Sequence, residues 1–298
     1  MFIVLIILII LLYRQYRVQN TIVSPLADDN PIINIINKPK ASKTPVSKNP
    51  TELIAQIKKI TETKNGNYSV YIYDLTNDKG YGFNQTTILT AASVNKVPVI
   101  AALYYEAQAG VIDLDKRITL QAKDIQNFGT GFLRYKGAGG VYSLKTLAQI
   151  MIEKSDNTAV YVLNQVVGEQ RIQELVDKWG LSQTDIKNNK TSNQDMALLF
   201  SKIYRSQIAN IALSTEMIGF MDDSDFENRL PALLPKDIKV YHKIGSEVGN
   251  VHDVGVVVLE KHPYYLGVMT NDVTDEPQAE ATIAQISRMV YDFMASSN

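Results

Sequence analysis

AASVNKVPVIAALY, residues 91–104, is the stretch on which the fold turns. It is apolar nearly all round, as a helix is when it runs through the middle of a domain rather than along its surface. The reading extends this buried helix from Ser93 to Ala109. Ser93 and Lys96 interrupt it, and residues three apart on a helix share a face, so Lys96 reaches the Ser93 hydroxyl. A serine hydroxyl is a poor nucleophile until a neighbour takes its proton. A lysine amine can take it only where burial and nearby positive charge lower its pKa. The spacing alone is weak, since one Ser-x-x-Lys is expected about once by chance in a chain of this length and ordinary composition. The alternative is a capping serine and a solvated lysine. Against it stand Ala92, Val94, Val97, Val99 and Ile100, which bury the lysine stem.

Two further motifs follow. Ser155-Asp156-Asn157 falls between helical stretches, where all three residue types are favoured as caps. Its functional reading has Ser155 relaying a proton and Asn157 contacting a substrate amide. Lys243-Ile244-Gly245-Ser246 closes a strand. Gly245 would let a ligand approach the backbone, and Lys243 would offer positive charge to a carboxylate. The alternative is a solvated edge-strand lysine with a turn after it.

Around these motifs, Thr51–Thr63 has helical spacing. Tyr68–Leu75 alternates as a strand, and Lys79-Gly80 marks a turn into a second, Tyr81–Asn84. Helical stretches follow at Leu144–Glu153, Thr158–Val167, Glu169–Trp179 and Asn193–Tyr204. Strands return at Val240–Ile244, Gly249–Glu260 and Tyr264–Thr270, and the helix Pro277–Met294 closes the chain. Strands at both ends and helices between predict an α+β fold: an antiparallel sheet of about five strands flanked by helices, with an inserted helical lobe. Trp179, Phe132 and the pairs Tyr104-Tyr105 and Tyr264-Tyr265 are expected in packing. His252-Asp253 is read as a turn between strands, and Gly129–Arg134 as an edge of the cleft.

The 298 residues carry a formal net charge of −1 and no cysteine. That balance gives no footprint for nucleic acid. The lack of cysteine excludes a disulfide framework and a thiolate nucleophile. His242, His252 and His262 show no metal-ligand spacing, so no metal or other cofactor is expected, and the domain is expected to be a monomer. Phe2–Leu12 is an unbroken apolar run followed by Arg14 and Arg17. A membrane span needs roughly 20 apolar residues, so residues 1–17 read as a short membrane anchor or signal-like segment. Residues 18–50, rich in Asn, Pro, Lys and Ser, read as a flexible linker. The folded domain is 51–298.

Ser93-x-x-Lys96, Ser155-Asp156-Asn157 and Lys243-Ile244-Gly245, separated by 62 and 88 residues, follow the order of the signature set of class A β-lactamases and penicillin-binding proteins. The context carries the likeness further. Residues 91–104 are similar to that family's nucleophile helix, and SDNTA, Ser155–Ala159, matches its second element in full. HKIGSEVGNVHDVGVV, His242–Val257, resembles the third element and the strands after it, as does Arg229-Leu230-Pro231 ahead of it. The chain thus resembles the class A β-lactamase-related serine hydrolases from about Thr51 to Asn298.

The resemblance implies that Ser93 attacks the carbonyl of a β-lactam or a D-alanyl peptide, with Lys96 as base or electrostatic partner. It implies that Ser155 passes a proton to the leaving nitrogen, that Asn157 binds the substrate amide and that Lys243 meets the anionic end. The backbone N–H groups of Ser93 and Ser246 would form the oxyanion hole. Two departures stand out. Ile244 replaces the usual hydroxyl residue, leaving Ser246 as a substitute. The stretch Trp179–Met196, WGLSQTDIKNNKTSNQDM, has no Glu to activate a deacylating water. Asp185 is read as a solvated loop acid. The expectation is therefore a β-lactamase-like enzyme that acylates efficiently and deacylates slowly. A D-alanyl-D-alanine carboxypeptidase or transpeptidase and a non-hydrolytic sensor are the alternatives. The substrates lie outside the cytoplasmic membrane, so the domain is expected there.

Overall fold

The computed structural model describes residues 49–222 and 224–296. The anchor-like segment 1–17 and the linker up to residue 48 lie outside the described residues. Among the described residues no helix is long and apolar enough to cross a membrane.

Helix α1 (Pro50–Thr61) opens the domain, with Pro50 in its first turn and the Asn49 side chain accepting from the Thr51 N–H at 3.0 Å. Strands β1 (Asn67–Asp74), β2 (Lys79–Phe83) and β3 (Leu89–Thr90) follow. The turn expected at Lys79-Gly80 comes earlier. Asp74 accepts from Thr76 N and Asn77 Nδ2, both at 2.7 Å, and Asp78 turns the chain at φ 58°. Pairing therefore starts at Lys79, opposite Asp74.

The helical lobe starts with α2 (Lys96–Gln108). It continues through β4 (Arg117–Thr119), α3 (Leu133–Lys136), β5 (Val141–Ser143), α4 (Leu144–Glu153), α5 (Asn157–Val167), α6 (Glu169–Lys178), β6 (Lys190–Thr191), α7 (Asn193–Tyr204) and α8 (Ile211–Gly219). Strands β7 (Val240–Glu247), β8 (Asn250–Val257) and β9 (Tyr264–Asn271) and helix α9 (Glu276–Ser296) complete it.

The main sheet is antiparallel, in the order β2-β1-β9-β8-β7. β1 pairs along its whole length with β9, so the two ends of the domain meet in the sheet centre. This is the expected α+β architecture. Strand alternation sorts its side chains to two cores. Tyr264, Leu266 and Val268 pack with Ile57, Val70 and Ile286 beneath α1 and α9. Tyr265 and Met269 point the other way, to a core shared with Ile100, Leu103 and Phe200. Helix α2 runs through that second core and is buried on nearly every side, so whatever polar group it carries is held away from water.

His252 and Asp253 are not in a turn. They lie inside β8, fully buried. The His252 Nε2–H donates to Thr90 O at 2.7 Å and its Nδ1 accepts from Thr270 N at 3.0 Å, so the ring stitches β3 to the sheet. Burial pushes its pKa down to about 4, which keeps the ring neutral in that role.

Candidate active site

The nucleophile candidate does not sit in an α-helix. Ser93 lies in a 3₁₀ turn, Ala92–Asn95, and α2 begins only at Lys96. Ala92 is in the left-handed region at φ 49°, a strained setting for a residue with a Cβ. The Ser93-to-Lys96 step survives the change of helix type, because three residues make one 3₁₀ turn.

Lys96 Nζ lies 2.9 Å from Ser93 Oγ. It also lies 2.6 Å from Ser155 O, 3.1 Å from Ser155 Oγ and 2.9 Å from Asn157 Oδ1. Its side chain is only 4% exposed. Burial pushes its pKa down to about 7, with the Asp156 carboxylate pulling the other way. A neutral amine in this place has two N–H groups for Ser155 O and Asn157 Oδ1. Its lone pair is then left for the Ser93 hydroxyl proton.

Ser155-Asp156-Asn157 combines the cap and the site. Asp156 is the cap of α5, its Oδ1 accepting from Ala159 N at 3.0 Å, while its Oδ2 accepts from Leu133 N at 2.9 Å. A Cβ on Gly131 would collide with that carboxylate and one on Gly129 with the Asn157 amide, so both glycines let the loop after Gln126 close over the motif. Asp156→Ala strips a cap and leaves the Leu133 N–H buried without an acceptor. Its expected loss of stability is about 2–4 kcal/mol, read from the midpoint of a urea titration. Ser155, at φ 51°, turns its hydroxyl between two lysines.

The second of these is Lys243, whose Nζ is 3.0 Å from Ser155 Oγ and 3.2 Å from Ile244 O. It stands on the edge strand β7 and yet is fully buried, with the Phe226 ring centroid 5.9 Å away. Burial, then the Lys96 and Arg229 charges, hold its pKa well below the usual lysine range.

Gly245 departs from expectation. What comes close to Gly245 is the protein itself: a Cβ there would sit 2.9 Å from Ala91 O and 3.1 Å from Val94 Cγ2. The glycine thus lets β7 press on the turn that carries Ser93. Ser246 lines the cleft, and its hydroxyl accepts from Arg229 Nη2 at 2.6 Å. Arg229 is buried and also donates to Gly245 O, His252 O and the Glu280 carboxylate. Sequence reasoning placed Arg229 only as context before β7. Its position beside Ser246 follows from the sheet, and no local spacing announces it.

The other face of β7 carries His242, fully buried between the Asp253 carboxylate (Nδ1 to Oδ1, 2.8 Å) and Glu227 (Nε2 to Oε1, 3.1 Å). Burial opposes its charge, but the two carboxylates prevail and raise its pKa to about 9. Asp185 does not join the site. Its carboxylate accepts from Asn188 N and Nδ2, which hold its pKa below the usual range, while its neighbours Ile186 and Asn189 line the cleft.

The cleft has a volume of about 440 Å³ and is lined by Ser93, Lys96 and Asn157 among others. A model of the beta-lactamase enzyme family matches residues 52–294. The chain belongs to that family. Among curated proteins, beta-lactamase SME-1 of Serratia marcescens is 21% identical over 257 residues, covering 78% of this chain and 86% of that protein. Among solved structures, PBP-A aligns at TM-score 0.77 and 27% identity, over 83% of this chain and 97% of its own. A beta-lactamase from Sphaerobacter thermophilus aligns at TM-score 0.76 and 24% identity, over 82% and 98%. The family and its serine-hydrolase fold are thereby fixed, and the beta-lactamase fold explains why elements so distant in the chain meet at Ser93.

Proposed function

We propose that this chain is a serine acyl-transfer hydrolase acting on β-lactams through an acyl-enzyme at Ser93. The observation that carries the reading is a buried Lys96, with its pKa pushed down to about 7, 2.9 Å from the Ser93 hydroxyl. Neutral Lys96 takes the Ser93 proton as Oγ bonds to the lactam carbonyl carbon. The C–N bond breaks, Ser155 gives its proton to the leaving nitrogen, and the Lys96 ammonium, 3.1 Å from Ser155 Oγ, restores it. The net transfer is one proton from Ser93 to nitrogen. Lys243 assists Ser155 at 3.0 Å, and with Arg229 and Ser246 it draws the anionic end of the substrate. Asn157 engages the acyl amide. Backbone N–H groups of Ser93 and Ser246 as oxyanion donors would each supply about 3 kcal/mol.

Deacylation is the slow step in this reading. A penicilloyl ester needs a carboxylate or comparable base to activate water, and Trp179–Met196 offers only Asp185, turned to Asn188, and Asp195, bound by Gln183 N and Thr184 Oγ1. A D-alanyl-D-alanine carboxypeptidase or transpeptidase is the second reading. It is favoured by the 27% identity to PBP-A, of which a variant was captured as an acyl-enzyme with penicillin G. Either substrate lies outside the cytoplasmic membrane. The proposal puts the domain there, held by residues 1–17 as anchor.

Intact-mass measurement after mixing with penicillin G tests this. One penicilloyl adduct per chain is expected, absent in Ser93→Ala. Rapid turnover of a chromogenic cephalosporin with no accumulating adduct would overturn slow deacylation. Cleavage of a D-alanyl-D-alanine peptide selects the peptidase, and a stable adduct without cleavage selects a sensor.

A further inference from the structure

Of the described residues that line the cleft, Glu247 is the sole carboxylate, and its side chain makes no hydrogen bond or ion pair within the described chain. Alternation along β7 puts it on the face of Lys243 and Gly245, two residues past the point where Gly245 presses on Ala91 and Val94, which flank Ser93. Its companions in the lining include the amides of Gln126, Asn95, Asn164 and Asn189. The side-chain oxygens of Asn95, Asn164 and Asn189 are buried without a donor. The opposite end of Asn95 makes only a long 3.4 Å bond, to Ile186 O. These amides forfeit little by turning end for end to offer an oxygen to a guest. Lys96, the one cation in the lining, is already engaged by Ser93, Ser155 and Asn157. A free carboxylate among amide acceptors, with the neighbouring cation occupied, suits a guest that brings hydrogen-bond donors and positive charge.

We infer that Glu247, with the amides of Asn95, Asn164 and Asn189, selects acyl donors that carry a primary ammonium on the acyl side of the bond Ser93 attacks. The inference rests on the acyl-enzyme reading above. It names the kind of acyl group rather than the leaving side, where Lys243 and Arg229 lie.

The test uses two penicillins with one nucleus, acylated by 6-aminohexanoyl or by hexanoyl, and follows adduct formation by intact mass. In the unaltered protein the ammonium compound is expected to acylate about tenfold faster, equivalent to about 1.4 kcal/mol, just below the range of a hydrogen bond to a charged group. Glu247→Gln is expected to bring the two compounds within about twofold, the level of a weak exposed contact, and Glu247→Lys to favour hexanoyl. Glu247 is exposed, so neither variant threatens folding. Equal rates in the unaltered protein, or a preference that survives Glu247→Gln, overturns the inference. So does a variant that changes only adduct breakdown, which would make Glu247 part of deacylation. No adduct with either compound is a different failure: it removes the acyl-enzyme reading itself.

Discussion

Lys96→Met lowers the rate of Ser93 acylation by about 10²–10⁴-fold, the range of a positioned acid–base group, and removes its dependence on pH. The sign follows from the state that does the work. A base acts unprotonated, and burial holds Lys96 at about 7, so acylation climbs as pH rises through 7 and levels off above it. A lysine of ordinary pKa would keep the rate climbing past pH 10. Methionine keeps most of the volume of the stem and has no proton to exchange. Lys96→Arg separates charge from basicity, because a guanidinium stays protonated: it preserves the positive charge beside Ser93 and is expected to be as slow as Lys96→Met. Adduct formation with penicillin G, timed by quenched mixing and mass analysis from pH 5.5 to 9, measures all three proteins. An arginine variant that acylates at the unaltered rate would mean that Lys96 acts through its charge alone. A midpoint near 7 that persists in Lys96→Met would assign that titration to another group.

Much of this site can be read from local sequence because its distances are local. Ser93 and Lys96 are three apart, and one turn of α or 3₁₀ helix brings them within a hydrogen bond. The apolar residues around Lys96 foretell its burial, and hence its lowered pKa, without any knowledge of the fold. Ser155-Asp156-Asn157 is similar: a cap motif has to stand at a helix start, and there Ser155 and Asn157 both meet Lys96 while Asp156 holds the turn. Strand alternation and helix periodicity were enough for the α+β class, because the two cores separate Tyr264 from Tyr265 as period two requires.

The parts that stay hidden depend on pairings across the sheet. Arg229 reaches Ser246 and His252 only because β7 and β8 align beside it. His252-Asp253 has the polar look of a turn, and it is the register of β8 against β7 and β9 that makes both residues interior. Lys243 looks like a solvated edge lysine until Phe226, Ser155 and the buried Lys96 surround it. Gly245 reads as room for a ligand, and the structure fills that room with Ala91 and Val94. In each case the deciding neighbour is far away in sequence, so no window of local pattern contains it.

His242 is where such a distant pairing has the largest expected effect on stability. Replacing it with glutamine keeps a polar side chain in the slot between Asp253 and Glu227 and removes the charge. In the folded protein the two carboxylates raise the His242 pKa to about 9, against about 6.5 in the unfolded chain. A raised pKa contributes stability that is fully present below the unfolded value and is lost as pH rises through the folded value. The difference between the two proteins should therefore be greatest at pH 5.5–6.5 and shrink through pH 9, by about 3 kcal/mol in all. What persists well above pH 9 is the difference in packing and in hydrogen bonds to the two carboxylates. Lys96 and Lys243 press the other way. Their lowered pKa values penalise the folded state while they are protonated and cease to do so as pH rises. The unaltered protein on its own can thus show a nearly flat profile while the His242 contribution disappears beneath it. Urea titrations of both proteins at each pH cancel the lysine terms and isolate the histidine. A difference that stays constant from pH 6 to 10 would mean that His242 is neutral in the folded state and that Asp253 and Glu227 hold it by hydrogen bonds alone.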